Sequence, residues 1–304
     1  MNLTKNLHLT RPRILAAATI LALTGILVPL SQSAQARPIS AVAANRTASP
    51  AKMTVKPTIV KPTIVLEHGA WADASSWDAV ITRLEADGYT VYAPPNPLQS
   101  LSYDSATLSD FLSTIKGPIV LVGHSYGGMV ITNAARGHAN VKALVYDDAF
   151  IPNKGQTAFG INAAKPGSCV AGNPATFLNL VHYPGAPAGD VDAYLRVAPG
   201  KDYTGFDQCF ANGVPAAEAA LLAATQRPFA VGAGSQPSGV PAWKTIPSWA
   251  IIGTADHVIP PAEQIATARV AHAHITLVDS GHLSLITHPA AVTQVILEAA
   301  RAVG

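Results

Sequence analysis

Charge is scarce in this sequence. Twenty Lys and Arg and eighteen Asp and Glu make up 12% of its 304 residues, about half the share usual in soluble domains, while apolar residues reach 49%. That balance argues against a disordered chain and against a polyelectrolyte partner such as nucleic acid. Cysteine is nearly absent: Cys169 and Cys209 are the only two, and without a matching histidine pattern they do not make a structural zinc site. No phosphate loop, dinucleotide fingerprint or metal cluster is present, so no cofactor and no metal is expected. Repeats are missing apart from Lys56-Pro-Thr-Ile-Val60, copied at once as Lys61-Pro-Thr-Ile-Val65. The first copy reads as an edge strand or a slipped duplicate, and a solenoid is excluded.

What is present begins with a targeting segment. Lys5, Arg11 and Arg13 form a basic start, Ile14 to Leu30 is an uncharged apolar run, and Ala34-Gln35-Ala36 supplies a small-x-small cleavage pattern, so residues 1–36 read as a signal peptide. A retained membrane anchor is the competing reading, weakened by Gly25 and Pro29 within the run. Without an adjacent Arg pair, general secretion fits better than a twin-arginine route. Removing residues 1–36 takes away three basic residues and no acidic one, which leaves a net charge of about −1. The expectation is a secreted or periplasmic protein with no stable membrane insertion once the signal is gone. In an oxidising compartment Cys169 and Cys209 pair as a disulfide, with two buried free thiols as the alternative.

Residues 37–61, rich in Ala, Ser, Thr and Pro, read as a linker. From there short Val- and Ile-rich runs alternate with longer amphipathic stretches, the pattern of βαβ units on a parallel sheet. Strands are expected at 63–67, 90–93, 118–122, 142–146, 248–252 and 275–278. Helices are expected at 74–87, 105–115, 125–136, 261–271 and 288–302. The fold class is therefore α/β, a mainly parallel doubly wound sheet whose strand C-termini share one edge. Between about 152 and 246 the alternation breaks. This stretch reads as a helical cap inserted into a catalytic domain spanning 62–304, with helices near 174–181 and 215–225; a second independent domain is the alternative.

The chemistry concentrates at strand ends. Pro118 to Gly128 runs a buried strand into Gly123-x-Ser125-x-Gly127 and then a helix, the context that a nucleophile held on a sharp strand-to-helix turn requires. Serine needs a base, and of the ten histidines His282 is best placed, just after the last expected strand. His68 and His124 brace turns, and His257 and His288 read as supporting or surface groups. The acid that orients the base is Asp256, after the strand at 248–252, by the chain order Ser, Asp, His; its rival is Asp148, one strand earlier. An oxyanion hole needs two backbone donors, here Tyr126 and Ala70, or Trp71 in place of Ala70. Trp71 walls the acyl pocket or belongs to the core, and His182 in the cap is placed to touch substrate.

These residues match the α/β-hydrolase superfamily. The run Glu67-His-Gly-Ala-Trp71, the turn with Met129, Ala149-Phe-Ile-Pro152 and the segments of Asp256 and His282 resemble its small esterase branch of plant methylesterases and hydroxynitrile lyases. The resemblance implies metal-free attack on an ester through an acyl-enzyme on Ser125. Hydroxynitrile lyases of this branch carry Thr where this chain has Gly69, which argues against cyanohydrin cleavage. The expected function is hydrolysis of a small or medium carboxylic ester. Cleavage of an amide, lactone or carbon-carbon bond by the same triad, and a non-catalytic receptor for a small ligand, are the alternatives.

Overall fold

A computed structural model describes residues 60–197 and 205–304. The expected signal segment, nearly all of the linker and most of the first Lys-Pro-Thr-Ile-Val copy lie outside the described residues. The domain opens with β1 (Thr63–Glu67), a 3-10 turn (Ala74–Trp77), α1 (Asp78–Ala86), β2 (Val91–Tyr92), α2 (Leu101–Ser113), β3 (Ile119–His124), α3 (Gly127–Ala134) and β4 (Val141–Asp147). The inserted region contributes α4 (Ala158–Asn162), α5 (Pro174–Phe177), β5 (Leu178–Val181), β6 (Asp192–Leu195), α6 (Gly205–Cys209), α7 (Ala216–Thr225), β7 (Phe229–Ala230) and α8 (Val231–Ser235). The chain then returns through β8 (Ser248–Gly253), α9 (Pro261–Val270), β9 (His274–Val278), α10 (Ser284–Thr287) and α11 (Pro289–Val303).

Six strands form one parallel sheet in the order β2-β1-β3-β4-β8-β9. From β1 the chain steps one way to β2 and then moves the other way across β3, β4, β8 and β9. Right-handed crossovers therefore put α1 on one face and α2, α3 and α9 on the opposite face. The closing helix α11 packs beside α1 and across β4 and β8. With helices on both faces β3 and β8 have no exposed position; hence their continuous apolar sequences in place of strict alternation. The turns after β1 and β3 meet where the strand order reverses, the place where open α/β sheets build sites.

Every expected sheet strand forms, β1 with the expected bounds and the other five with shifted ends. β3 runs two residues further than read, to His124, and delivers Ser125 directly from the strand. The expected helix at 105–115 starts at Leu101, because the Ser100 side chain accepts the Tyr103 N–H and caps it. The helix read at 288–302 is preceded by a separate turn, α10, and starts with Pro289 in its first turn. In the cap the helix read at 174–181 is corrected. Asn173 caps only a single turn, after which Leu178 to Val181 pairs antiparallel with β6. β7 completes a three-stranded sheet that was not anticipated. Among the described residues no helix is long and apolar enough to cross a membrane.

Candidate active site

Ser125 sits between β3 and α3 with φ +53°, a left-handed backbone angle that a non-glycine residue holds at a cost of about 1–3 kcal/mol. Its neighbours supply the constraint. The Ser125 N–H donates to the Asp147 carbonyl at 3.2 Å, and its own carbonyl accepts from Gly128 and Phe150 at 3.0 and 3.2 Å. The turn closes only because position 127 lacks a side chain: a β-carbon there would lie 2.5 Å from the carbonyl oxygen of Glu67. The fixed angle aims the hydroxyl at the strand edge and leaves the N-terminus of α3 behind it.

The structure joins residues from three strand ends in a row. His282 Nε2 lies 2.9 Å from Ser125 Oγ, and His282 Nδ1 lies 2.9 Å from Asp256 Oδ2. In the neutral imidazole, the arrangement that satisfies both contacts has Nδ1–H donating to the carboxylate and Nε2 accepting the serine proton. Asp256 is itself held from all sides. Its Oδ1 accepts from the backbone N–H groups of Val258 and Ile259 at 2.7 and 3.0 Å, and its Oδ2 accepts from Gln264 Nε2 at 2.7 Å. Ser125, Asp256 and His282 are all buried, so little water competes for these bonds.

Asp148, the rival acid, is elsewhere engaged. It accepts the Gly253 N–H at 2.6 Å and the Ser284 N–H at 3.2 Å, tying β4, β8 and the segment after His282 together. Beside it, Asp147 accepts the Ser284 hydroxyl at 2.6 Å. Burial pushes the Asp147 carboxyl up to about 7 against that hydrogen bond, and Asp256 nearby adds to the rise. Burial also drives Asp148 well above the usual carboxylate range, reinforced by Asp147 and Asp256. The cluster thus keeps Asp147 and Asp148 protonated more readily than ordinary carboxyls, and Asp256 is the member with the most hydrogen-bond donors around it. Sequence reasoning missed Asp147, since nothing in its neighbourhood signals a tie to Ser284.

The two histidines read as braces have that role. His68 Nδ1–H donates to the Gly69 carbonyl at 3.0 Å while Nε2 accepts the Asn96 N–H at 2.9 Å; burial holds it neutral, down to about 4. His124 Nε2–H donates to the His282 carbonyl at 2.9 Å, and burial, with His282 close by, lowers it well below the histidine norm. A further support comes from the cap. Asn212 Nδ2 donates to the Ala255 carbonyl at 2.8 Å and its Oδ1 accepts the His282 N–H at 3.4 Å, linking the acid and base loops.

Above Ser125 lies a cavity of about 380 Å³ bordered by Ala70, Trp71 and Tyr126, with Phe150, Phe177 and Phe229 among its apolar walls. Both expected oxyanion donors therefore belong to residues at the serine end of the cavity. Trp71 lines it as well, edge-on to Phe210 and Phe229. His182 does not. It directly follows β5, is exposed, and is absent from the lining. Cys169 and Cys209 are joined as a disulfide. Among the described residues no group of three His, Cys, Asp or Glu could hold a metal ion.

The chain is 34% identical over 110 residues to a carbendazim-hydrolysing esterase of Nocardioides sp., a match covering 32% of this chain and 46% of that one. It is 35% identical over 106 residues to a pyrethroid hydrolase of Sphingobium wenxiniae, covering 31% and 38%. These matches span less than half the length of either relative. Among solved structures, polyneuridine aldehyde esterase superimposes with a TM-score of 0.63 at 17% identity, over 79% of this chain and 99% of that one, a likeness of fold. The pattern of the Alpha/beta hydrolase family matches residues 64–295, and the chain belongs to that family.

Proposed function

We infer that the protein hydrolyses carboxylic esters of small or medium size through an acyl-enzyme on Ser125. The observation that carries this reading is the unbroken row from Ser125 through His282 to Asp256, with 2.9 Å at each step. His282 takes the Ser125 proton as Oγ bonds to the ester carbonyl carbon. The negative charge gathers on the carbonyl oxygen, facing the backbone N–H groups of Ala70 and Tyr126. As the tetrahedral species collapses, His282 gives the proton to the departing alkoxide and an alcohol leaves. Water then repeats the attack, His282 taking its proton and returning it to Ser125 as the carboxylic acid is released. Asp256 holds the imidazole in the required tautomer and stabilises its charged form.

Two relatives named for hydrolysing carbendazim and pyrethroids support ester cleavage. An apolar cavity of about 380 Å³ beside Ser125 supports a small organic substrate. We also infer that the protein is exported, secreted or periplasmic; the targeting pattern of residues 1–36 and a disulfide, which persists in an oxidising compartment, support this. Single-turnover kinetics with p-nitrophenyl esters of increasing acyl length test the mechanism. A burst of p-nitrophenol with one acyl group on Ser125 is expected, absent in Ser125→Ala. Undiminished turnover by a folded Ser125→Ala protein would overturn it.

A further inference from the structure

A row of aromatic rings runs along one wall of the cavity. Trp71 and Tyr126, beside Ser125, stand 5.9 and 4.8 Å from Phe229, and Phe229 stands 6.3 Å, edge-on, from Phe159. All four border the cavity. Exposure changes along the row: Trp71, Tyr126 and Phe229 are buried, whereas Phe159 is 41% exposed. Among the described residues the only other large apolar side chain that both borders the cavity and is exposed is Leu180, at 49%. Phe159 and Leu180 therefore mark the place where the cavity opens to solvent, at the far end of the row from Ser125.

The outer ring has a seat made for it. Phe159 belongs to α4, which packs on α8. At Gly234 of α8 the three atoms nearest to where a β-carbon would stand are all ring carbons of Phe159, with Cε1 and Cε2 at 2.6 and 2.8 Å and Cζ nearer still. Glycine is a poorer helix former than alanine, and Gly234 is not among the glycines with a left-handed backbone angle, so the backbone itself does not call for it. What the missing side chain provides is room for the Phe159 ring.

We propose that Phe159, seated on Gly234, is the residue that sets how bulky a substrate the cavity admits, and that the substrate is a neutral ester whose hydrocarbon or aromatic body lies along this row of rings. The proposal rests on the ester-hydrolase reading for the identity of the reaction, though not for the binding of an apolar body. Neutrality follows from the lining: among the described residues no Asp, Glu, Lys, Arg or His borders the cavity. A carboxylate or ammonium drawn into it would lose its hydration with no partner in return. The polar tips of the row are already occupied, since the Tyr126 hydroxyl donates to Asp104 at 2.8 Å and the Trp71 indole N–H to the Ala193 carbonyl at 3.0 Å. Such a wall discriminates by fit, and a misfit of one methylene is worth about 10–200-fold.

The test uses two ester series, one growing the acyl group of p-nitrophenyl esters and one growing the alcohol of acetate esters, so that whichever end reaches the mouth is read. Each protein is scored by its kcat/KM for the bulkiest ester relative to the smallest. Phe159→Ala is expected to raise this ratio by about tenfold or more in one series. Gly234→Ala should shift the ratio as well, because its β-carbon displaces the ring, and should shift nothing further when added to Phe159→Ala. Alanine suits a helix better than glycine, so the fold should be kept, which melting curves check. The p-nitrophenyl monoester of glutaric acid should be turned over at least about tenfold less well than the pentanoate. A second arm measures binding of N-phenyl-1-naphthylamine, a neutral apolar fluorophore, to the same four proteins carrying Ser125→Ala. A Kd that Gly234→Ala changes only while Phe159 is present supports the contact even where no ester turns over, an outcome that would remove the ester reading alone. Ester turnover with a ratio unchanged in Phe159→Ala, a Gly234→Ala shift that persists without Phe159, or a fluorophore that binds all four alike or none, overturns the role of Phe159. Equal turnover of the glutarate monoester and the pentanoate overturns the neutral class.

Discussion

Gly69 leaves no room for a β-carbon beside Ser125: one placed there would lie 2.5 Å from the Ser125 Cβ and 2.8 Å from the His124 carbonyl oxygen. The neighbours are backbone and the base of a side chain, neither of which can swing aside. A threonine here, as in the hydroxynitrile lyases, needs a different relation between the turns after β1 and β3. Gly69→Ala is expected to displace Ala70 and to lower kcat by about 100-fold or more, the scale of losing an oxyanion donor. Single-turnover acylation rates, read beside a melting curve, check it; an alanine variant with wild-type acylation would show that the Ala70 N–H takes no part.

The two carboxyls on successive strands should separate in mutation. Asp256→Asn keeps the shape but removes the acceptor that selects the Nδ1–H tautomer of His282, and kcat is expected to fall by about 10⁴-fold. Asp148 accepts two backbone N–H groups and does not touch His282. Asp148→Asn should therefore cost stability first, seen as a lower Tm, with kcat retained within about tenfold below the transition. The reverse ranking of the two kcat values would make Asp148 the acid.

The parts that could be read from the sequence are those written in local pattern. Gly123 to Gly127 lies between a Val- and Ile-rich strand and a helix, and each of the other strand ends carries its own apolar run and turn residues, so Ser125, Asp256 and His282 could be placed by chain order. The cap could not. β5 is held by β6, and β6 by β7 some thirty-five residues later, and such non-local pairing leaves no periodic trace in strands of two to four residues. That is why Leu178–Val181 read as helix and why His182 was placed by the substrate. Asn212 acts through His282, 70 residues away, which no short window reveals.

Asp147 makes stability depend on pH in a defined direction. Its carboxyl titrates near 7 in the folded protein because of burial, against about 3.9 in an unfolded chain. Between those values the unfolded state releases the proton and the folded state keeps it. The stabilisation is whole below about pH 4 and is lost as pH rises through 7. Asp147→Asn can still accept from the Ser284 hydroxyl and carries no charge at any pH. The variant is expected to melt close to wild type at pH 4 and clearly above it at pH 8. Parallel Tm curves across that range would mean that Asp147 is ionised in the native protein.

The disulfide should matter to the site as well as to the fold, because its two ends hold different parts of the same wall. Cys169 donates its N–H to the His257 carbonyl at 2.7 Å, next to Asp256. Cys209 is fully buried at the end of α6 and precedes Phe210, whose ring lies 5.3 Å from that of His282 and edge-on to Trp71 at 6.0 Å. Three residues past the bridge, Asn212 links Ala255 to His282. Cutting the bridge frees a 40-residue loop, a loss of about 4 kcal/mol in the chain-entropy picture, or roughly 8–16 °C in Tm for a domain of this size. Cys169→Ser/Cys209→Ser is expected to show that drop and, well below its Tm, a kcat lowered by about tenfold, since packing on His282 loosens with α6. Asn212→Ala in the oxidised protein separates the two effects: it should reproduce the loss in kcat with most of the Tm retained. Wild-type kcat in both variants would assign the bridge to stability alone and leave the position of His282 to His124 and Asp256.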